Sequence, residues 1–277
     1  MRRGTVMDMD ERTTFKNFNK MKRSIKSLVG YTMGATDGEI GKVKEFYFDD
    51  QSWTIRYLIL ETGSWLNGRK VLISPQALLT PDWKNEVFPI NLTKEKIKNS
   101  PFIDTEQPVS RQHEIEMYEY YPWTSYWGGG IWGGGLGITG MMPPVHEPLV
   151  EAARTENSTD ARDADGDPHL RSTHKVTGYS IHAVDGRIGD VEDFIIDDTS
   201  WKVAYLVVDT GHWFPGKKVI ISPKLIKKIE WDTSEIMVHV TEEDIKNSPE
   251  YQPGEAISES YETNLQNYYG KIVENVY

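Results

Sequence analysis

The feature that most constrains this chain is that one stretch of it is written twice. TDGEIGKVKEFYFDDQSWTIRYLILETGSWLNGRKVLISP runs from Thr36 to Pro75, and VDGRIGDVEDFIIDDTSWKVAYLVVDTGHWFPGKKVIISP runs from Val184 to Pro223. Gly38 and Gly186, Trp53 and Trp201, and Pro75 and Pro223 all stand 148 positions apart. An ungapped duplication of this length means two copies of one domain, and a chain of 277 residues has room for both.

Within each copy the pattern is that of short strands separated by turn residues. Tyr31 to Thr36 reads as a strand, Asp37-Gly38 as a tight hairpin turn, and Ile40 to Phe48 as its partner. Apolar residues at 40, 43, 46 and 48 break strict alternation, which predicts a β-bulge or bend between 40 and 46. Asp49-Asp50-Gln51-Ser52 is turn chemistry, and Asn67-Gly68 and Pro215-Gly216 each place a glycine where positive φ is needed. Val71 to Ile73 is a strand stopped by Ser74-Pro75, and another lies around Val87 to Leu92.

The strand from Thr54 to Thr62 is apolar on both sides. Ile55, Tyr57 and Ile59 are expected on one face, with Leu58 and Leu60 on the other. One face can fill a small barrel, and the other needs a cover. The first candidates are the amphipathic tails HEIEMYEYY and YETNLQNYY, whose paired tyrosines again lie 148 apart. Before each tail, Thr93 and Thr241 are placed to cap a short helix.

The pattern predicts a flexible arm over 1–22, a first repeat over 23–122, a linker over 123–170, a second repeat over 171–270 and a tail over 271–277. Lys16, Lys20, Lys22 and Arg23 read as a solvated tail or as a basic tether to membrane or protein. The linker begins with PWTSYWGGGIWGGGLGITGMMPP and continues acidic. Its Trp123, Trp127, Ile131 and Trp132 are read either as dipping into a membrane or as docking on one barrel, the second being favoured because glycine-rich backbone in lipid leaves peptide groups unpaired.

A net charge of −11 argues against nucleic acid as the partner, since phosphate contacts need clustered Lys and Arg. There is no cysteine, hence no thiolate metal site, disulfide or thiol nucleophile. No secretory leader is read at the N-terminus, and no run approaches the roughly 18 apolar residues of a membrane span. A cytoplasmic location is the expectation.

Catalytic motifs are not found. Asp49-Asp50 and Asp197-Asp198 lack the spaced oxygens a divalent cation requires and read as turns. The seven histidines are scattered, and His182, His212 and His239 occupy positions held by Gly34, Ser64 and Asn91 in the first copy, so a site shared by both repeats cannot use them. The glycine triplets lack the Lys-Ser/Thr ending of a phosphate loop, and G-x-S-x-G is absent. The chain is therefore read as no enzyme, with no cofactor and no metal.

The copies differ most in charge. Lys42 and Lys44 of the first are replaced by Asp190 and Glu192, followed by Asp193. This suggests two barrels that dock through complementary strands, within one chain or between chains as a homo-oligomer. Replacing both lysines by Glu is expected to loosen that docking. Trp65 and Trp213, together with Lys42, Lys44, Asp190 and Glu192, form the candidate partner surface, because tryptophan is enriched at binding hot spots.

The pattern (T/V)DG-x-IG-x-V, DD-x-SW-x-x-x-YL and W-x-x-G-(R/K)-K-V-x-IS-P, closing on I-K-NSP, resembles the PRC-barrel domain. That family is named for the cytoplasmic barrel of the photosynthetic reaction-centre H subunit and includes the C-terminal domain of the maturation factor RimM. The resemblance implies a mainly β fold of two small antiparallel barrels in tandem, each followed by short helices. It also implies a non-catalytic protein-binding or scaffold role. The chain shows neither the membrane helix of the first relative nor the N-terminal domain of the second, and its arrangement resembles stand-alone bacterial members. Two alternatives stay open: a peripheral membrane or photosynthetic-complex accessory protein, and a carrier of a metal or small ligand.

Overall fold

The structure is a computed structural model that describes residues 21–101, 109, 111–121, 123–126, 169–211 and 217–274. Most of the proposed arm, Trp127, Ile131, Trp132 and Trp213, and the Pro215-Gly216 turn lie outside these residues. The first repeat runs β1 (Lys22–Ser24), α1 (Ile25–Leu28), β2 (Thr32–Ala35), β3 (Gly38–Asp49), β4 (Thr54–Glu61), β5 (Lys70–Ile73), β6 (Val87–Pro89), α2 (Lys94–Lys98) and α3 (Arg111–Tyr120). The second runs β7 (Leu170–Ser172), α4 (Thr173–Val176), β8 (Ser180–His182), β9 (Arg187–Asp197), β10 (Val203–Asp209), β11 (Lys218–Ile221), β12 (Ile226–Glu230), β13 (Glu235–Val238), α5 (Glu242–Asn247) and α6 (Glu259–Glu274).

The molecule is mainly β, with two sheets and few helices. The sheet orders are β5-β4-β3-β2-β6 and β11-β10-β9-β8-β13-β12. Two points correct the expectation of antiparallel barrels. Among the described residues backbone pairing does not close either sheet into a ring, and β2–β6 and β8–β13 are parallel pairs. The hairpin centres on Thr36-Asp37, since Ala35 pairs with Gly38.

The expected bulge is present. Val43 faces Leu60 and Glu45 faces Ile59, leaving Lys44 as the extra residue, and Glu192 is extra at the same place in β9. Gly41 and Gly189 sit just before this bend, where the opposing strand end comes close. A Cβ there would lie 2.3 Å from the Glu61 carbonyl oxygen or 2.1 Å from that of Asp209, at φ of 148° and 153°. Only glycine fits.

A second bulge, at Arg56 and Ala204, corrects the face assignment of β4. Phe48 pairs with Ile55 but Tyr47 with Tyr57, so Ile55 turns to the side of Leu58 and Leu60. Those three join the main core, while Tyr57, Ile59 and Leu72 form a second cluster with Tyr47, Leu170 and Val109. The cover expected from the tails is there: Met117, Tyr118 and Tyr121 of the α3 segment bury themselves on this face. In the second repeat Leu265 and Tyr269 of α6 are buried likewise.

The repeats are not separate beads. The main core is continuous through both, and Phe48 meets Phe194 across the boundary at 5.6 Å. Trp201 stacks against Phe46 and lies 6.0 Å from Phe88, both residues of the other repeat. Each such aromatic side chain, taken out of water, contributes about 2 kcal/mol.

Candidate functional site

The long strands β3 and β9 each use one edge twice. The first part of β3, Gly38 to Lys42, pairs with β2, and its last part, Tyr47 to Asp49, pairs with β7 of the second repeat. The first strand of the first repeat, β1, pairs in turn with Ile195 to Asp197 of β9. The repeats thus exchange their opening strands about a pseudo-twofold axis. At the axis the exchange is closed by two short bonds: Val203 N–H donates to the Trp53 carbonyl at 2.7 Å, and Ile55 N–H to that of Trp201 at 2.8 Å. Both tryptophans hold left-handed φ, 53° and 57°, which brings these carbonyls to the boundary.

Side chains lock the exchange. Arg23 Nε donates to Asp198 at 2.8 Å, and Arg171 Nε donates to Asp50 at 2.8 Å. Each guanidinium also lies on a tryptophan of its own repeat, Arg23 on Trp83 at 3.5 Å and Arg171 on Trp231 at 3.9 Å. The Ser24 hydroxyl donates to Asp193, and the Ser172 hydroxyl to Glu45. Lys22 reaches Asp197 at 3.2 Å and Glu262 of α6 at 3.5 Å, and Lys26 reaches Glu192 at 3.2 Å. Lys22 and Arg23 are therefore bound within the molecule, which removes these two from the basic tether.

Burial raises the Asp193 carboxyl above its ordinary value, in spite of hydrogen bonds from Ser24 and from the Lys26 and Phe194 N–H groups. Glu192 and Asp197 go the other way. Burial alone would raise them, but donors outweigh it: Lys218 and Lys26 for Glu192, Ser200 and Lys22 for Asp197.

The acidic pairs are turns, and also anchors. Asp49 accepts from the Ser52 N–H and hydroxyl, both at 2.6 Å, and Asp197 holds Ser200 in the same way. The adjoining Asp50 and Asp198 take the arginines. Among the described residues no group of three or more His, Asp and Glu is arranged to hold a metal ion. No helix among them is long and apolar enough to cross a membrane.

The other motif residues serve the short helices. Asp37 accepts from the Lys94 N–H and Asp185 from the Glu242 N–H, each at 2.8 Å. Thr93 and Thr241 cap the same helices. At the far end, Arg69 donates to the Ser100 and Pro101 carbonyls, and Lys217 to those of Lys246 and Ser248. These contacts use the D-G, (R/K)-K and NSP signatures, and they show that the conspicuous residues hold the fold.

The model of the PRC-barrel domain matches residues 23–96 and, again, 171–245. The chain belongs to the PRC-barrel family. An uncharacterized protein of Deinococcus radiodurans is 27% identical over 88 residues, which are 31% of this chain and 31% of that protein. The chain therefore matches about a third of that relative's length.

Of the candidate surface, Trp65, Lys42 and Lys44 belong to the first PRC-barrel repeat. The Trp65 indole N–H donates to the Ile40 carbonyl at 2.7 Å, and Lys94 lies 5.8 Å from its ring centre. Lys42 and Lys44 are exposed on β3, Lys44 at 3.8 Å from Glu61. Asp190 and Glu192 occupy the equivalent positions of the second repeat. Asp190 is held by Arg187 at 2.6 Å, and Glu192 by Lys26 and Lys218. The lysines of β3 are not their partners. Among the described residues the basic side chains that pair across the boundary include Lys22, Arg23, Lys26 and Arg171. In the sequence Arg23 reads as part of the basic tether, and positions 23 and 171 as the starts of the repeats; neither reading marks their contacts across the boundary. Their recurrence beside the twice-written Asp-Asp was the available signal.

Trp123 stacks on Tyr121 with ring centres 4.3 Å apart. It is the one linker tryptophan among the described residues, and it docks on the first repeat. Gln76 fixes the neighbouring backbone through the Thr124 N–H and carbonyl, both at 3.0 Å.

Proposed function

We propose that this protein is a non-enzymatic protein-binding scaffold whose two PRC-barrel repeats act as one rigid body. The observation that carries this is the reciprocal strand exchange, which sets two equivalent ends at a defined separation and orientation. The ends differ in charge. The first presents Trp65 with Lys42, Lys44 and Lys94, and the second has Asp190, Glu192 and Glu242 where those three lysines stand. A protein partner with an acidic, partly apolar face fits the first end, where an aromatic anchor is rimmed by cations. PRC-barrel domains are commonly protein-interaction modules, which agrees with this reading.

The test is affinity capture with the full chain as bait, beside a Lys42→Glu/Lys44→Glu bait of unchanged thermal stability. Loss of the same captured protein from the double variant supports the proposal. Equal capture by both overturns the assignment of the surface. Retention on anionic liposomes, or a specific rise in Tm with a metal ion or small molecule, would favour the membrane-accessory or carrier reading instead.

A further inference from the structure

The two seams have the same geometry but not the same charges. Both carry the arginine–aspartate pair and the serine–carboxylate bond. Onto β9, the first repeat also brings Lys22 to Asp197 and Lys26 to Glu192, each at 3.2 Å. Onto β3, the second repeat brings Leu170 where Lys22 stands and His174 where Lys26 stands. The β3 residue at the position of Glu192 is Lys44, whose ammonium lies 3.8 Å from Glu61 of its own repeat.

Consider the pairings that do not occur in the molecule. A first-repeat strand laid on another first repeat would set Lys26 toward Lys44, like against like. A second-repeat strand laid on another second repeat would bring no lysine to Asp197 or Glu192. Glu192 would keep Lys218 alone, and Asp197, whose side chain is 13% exposed, would face Leu170. Only first-on-second matches both acidic groups with cations while keeping Lys44 clear of a like charge.

We propose that these charges are a pairing code: each repeat recognises the other and rejects its own kind, within a chain and between chains. Two copies that open and re-pair then do so by setting the first repeat of each on the second repeat of the other. Like-charge contacts are an effective way to exclude a wrong partner, because they penalise it without changing the right one.

The experiment uses the full chain carrying a protease site between the repeats. The folded protein is cut, unfolded in urea, refolded and weighed by native mass spectrometry. The expected product is the one-to-one complex of the two halves. A statistical mixture containing both homodimers overturns the proposal. Lys44→Glu should raise first-half homodimers by about tenfold or more, since each homodimer contains the altered contact twice. No rise counts against the code.

If the halves do not refold, the uncut chain decides. His174→Glu places a carboxylate toward Lys44, and His174→Lys a second cation. The Glu variant should melt about 2 °C or more above the Lys variant. That gap should shrink on a Lys44→Ala background. A gap indifferent to Lys44 belongs to the helix end alone and sinks the proposal.

Discussion

Arg23 donates to Asp198 of the other repeat while its guanidinium lies 3.5 Å over Trp83 of its own. Arg171, Asp50 and Trp231 repeat the arrangement. Each cation is held between a carboxylate across the boundary and an aromatic face behind it. Removing one member of such a pair leaves the other partly buried and uncompensated. The side chains of Arg23 and Asp198 are 17% and 10% exposed, so some solvation remains. Arg23→Ala should therefore cost about 2–3 kcal/mol, below the range of fully buried pairs. The Arg23→Ala/Asp198→Ala double variant should lose less than the two singles combined, as measured by urea unfolding.

The bend in the long strands gives a sharper prediction, because two glycines with positive φ have different surroundings. Gly41 would drive a Cβ into the Glu61 carbonyl at 2.3 Å, whereas a Cβ at Gly30 meets nothing within 4 Å. Gly30→Ala should cost about 1–2 kcal/mol, the penalty of left-handed backbone alone. Gly41→Ala should exceed about 3 kcal/mol or prevent folding, and Gly189→Ala should match it. Equal losses at 30 and 41 would show that close approach is not what requires the glycine.

Much of this was legible in the residues. The duplication, the bulge before Phe46, the capped helices and the tails over Tyr57 and Ile59 all follow from periodicity and turn chemistry, which are local. What was not legible depends on the partner of an edge. Nothing in Lys22–Ser24 says whether it completes its own sheet or its neighbour's, because a three-residue strand satisfies either. The face of Ile55 was missed for a related reason. A single extra residue at Arg56 reverses the alternation, and no composition signal marks it. The candidate surface was read from charge differences, and the structure separates those that stay exposed, Lys42 and Lys44, from Glu192, which is tied up at the seam.

The helices that cover the outer faces are anchored unequally. The Tyr57 hydroxyl donates to Glu114 at 3.1 Å, and Tyr126 donates to the same oxygen at 2.6 Å. Glu114 is 2% exposed. The matching Tyr205–Glu262 bond of 2.8 Å has a carboxylate whose side chain is 23% exposed and shared with Lys22. Taking a donor from a buried carboxylate costs more than from one that water can reach. Tyr57→Phe should lose about 1–2 kcal/mol and Tyr205→Phe about 0.5–1 kcal/mol, read from denaturant midpoints. The reverse order would mean that the α3 segment contributes little to the first repeat.

The seam also sets the response to acid, and its carboxylates pull in opposite directions. Asp193 has a folded pKa raised by burial, so the folded state binds its proton more tightly than the unfolded chain. Its contribution to stability therefore improves as pH falls from neutrality toward the ordinary carboxylate value of about 4. Glu192 and Asp197 have lowered folded values, so theirs is present above about 4 and lost as pH falls through the depressed range. Stability should rise slightly on mild acidification and then drop below about pH 4. Asp193→Asn should abolish the rise, while Glu192→Gln and Asp197→Asn should each flatten the drop. Urea midpoints collected across this range test both limbs. A rise that survives Asp193→Asn would place its origin away from the exchanged strand.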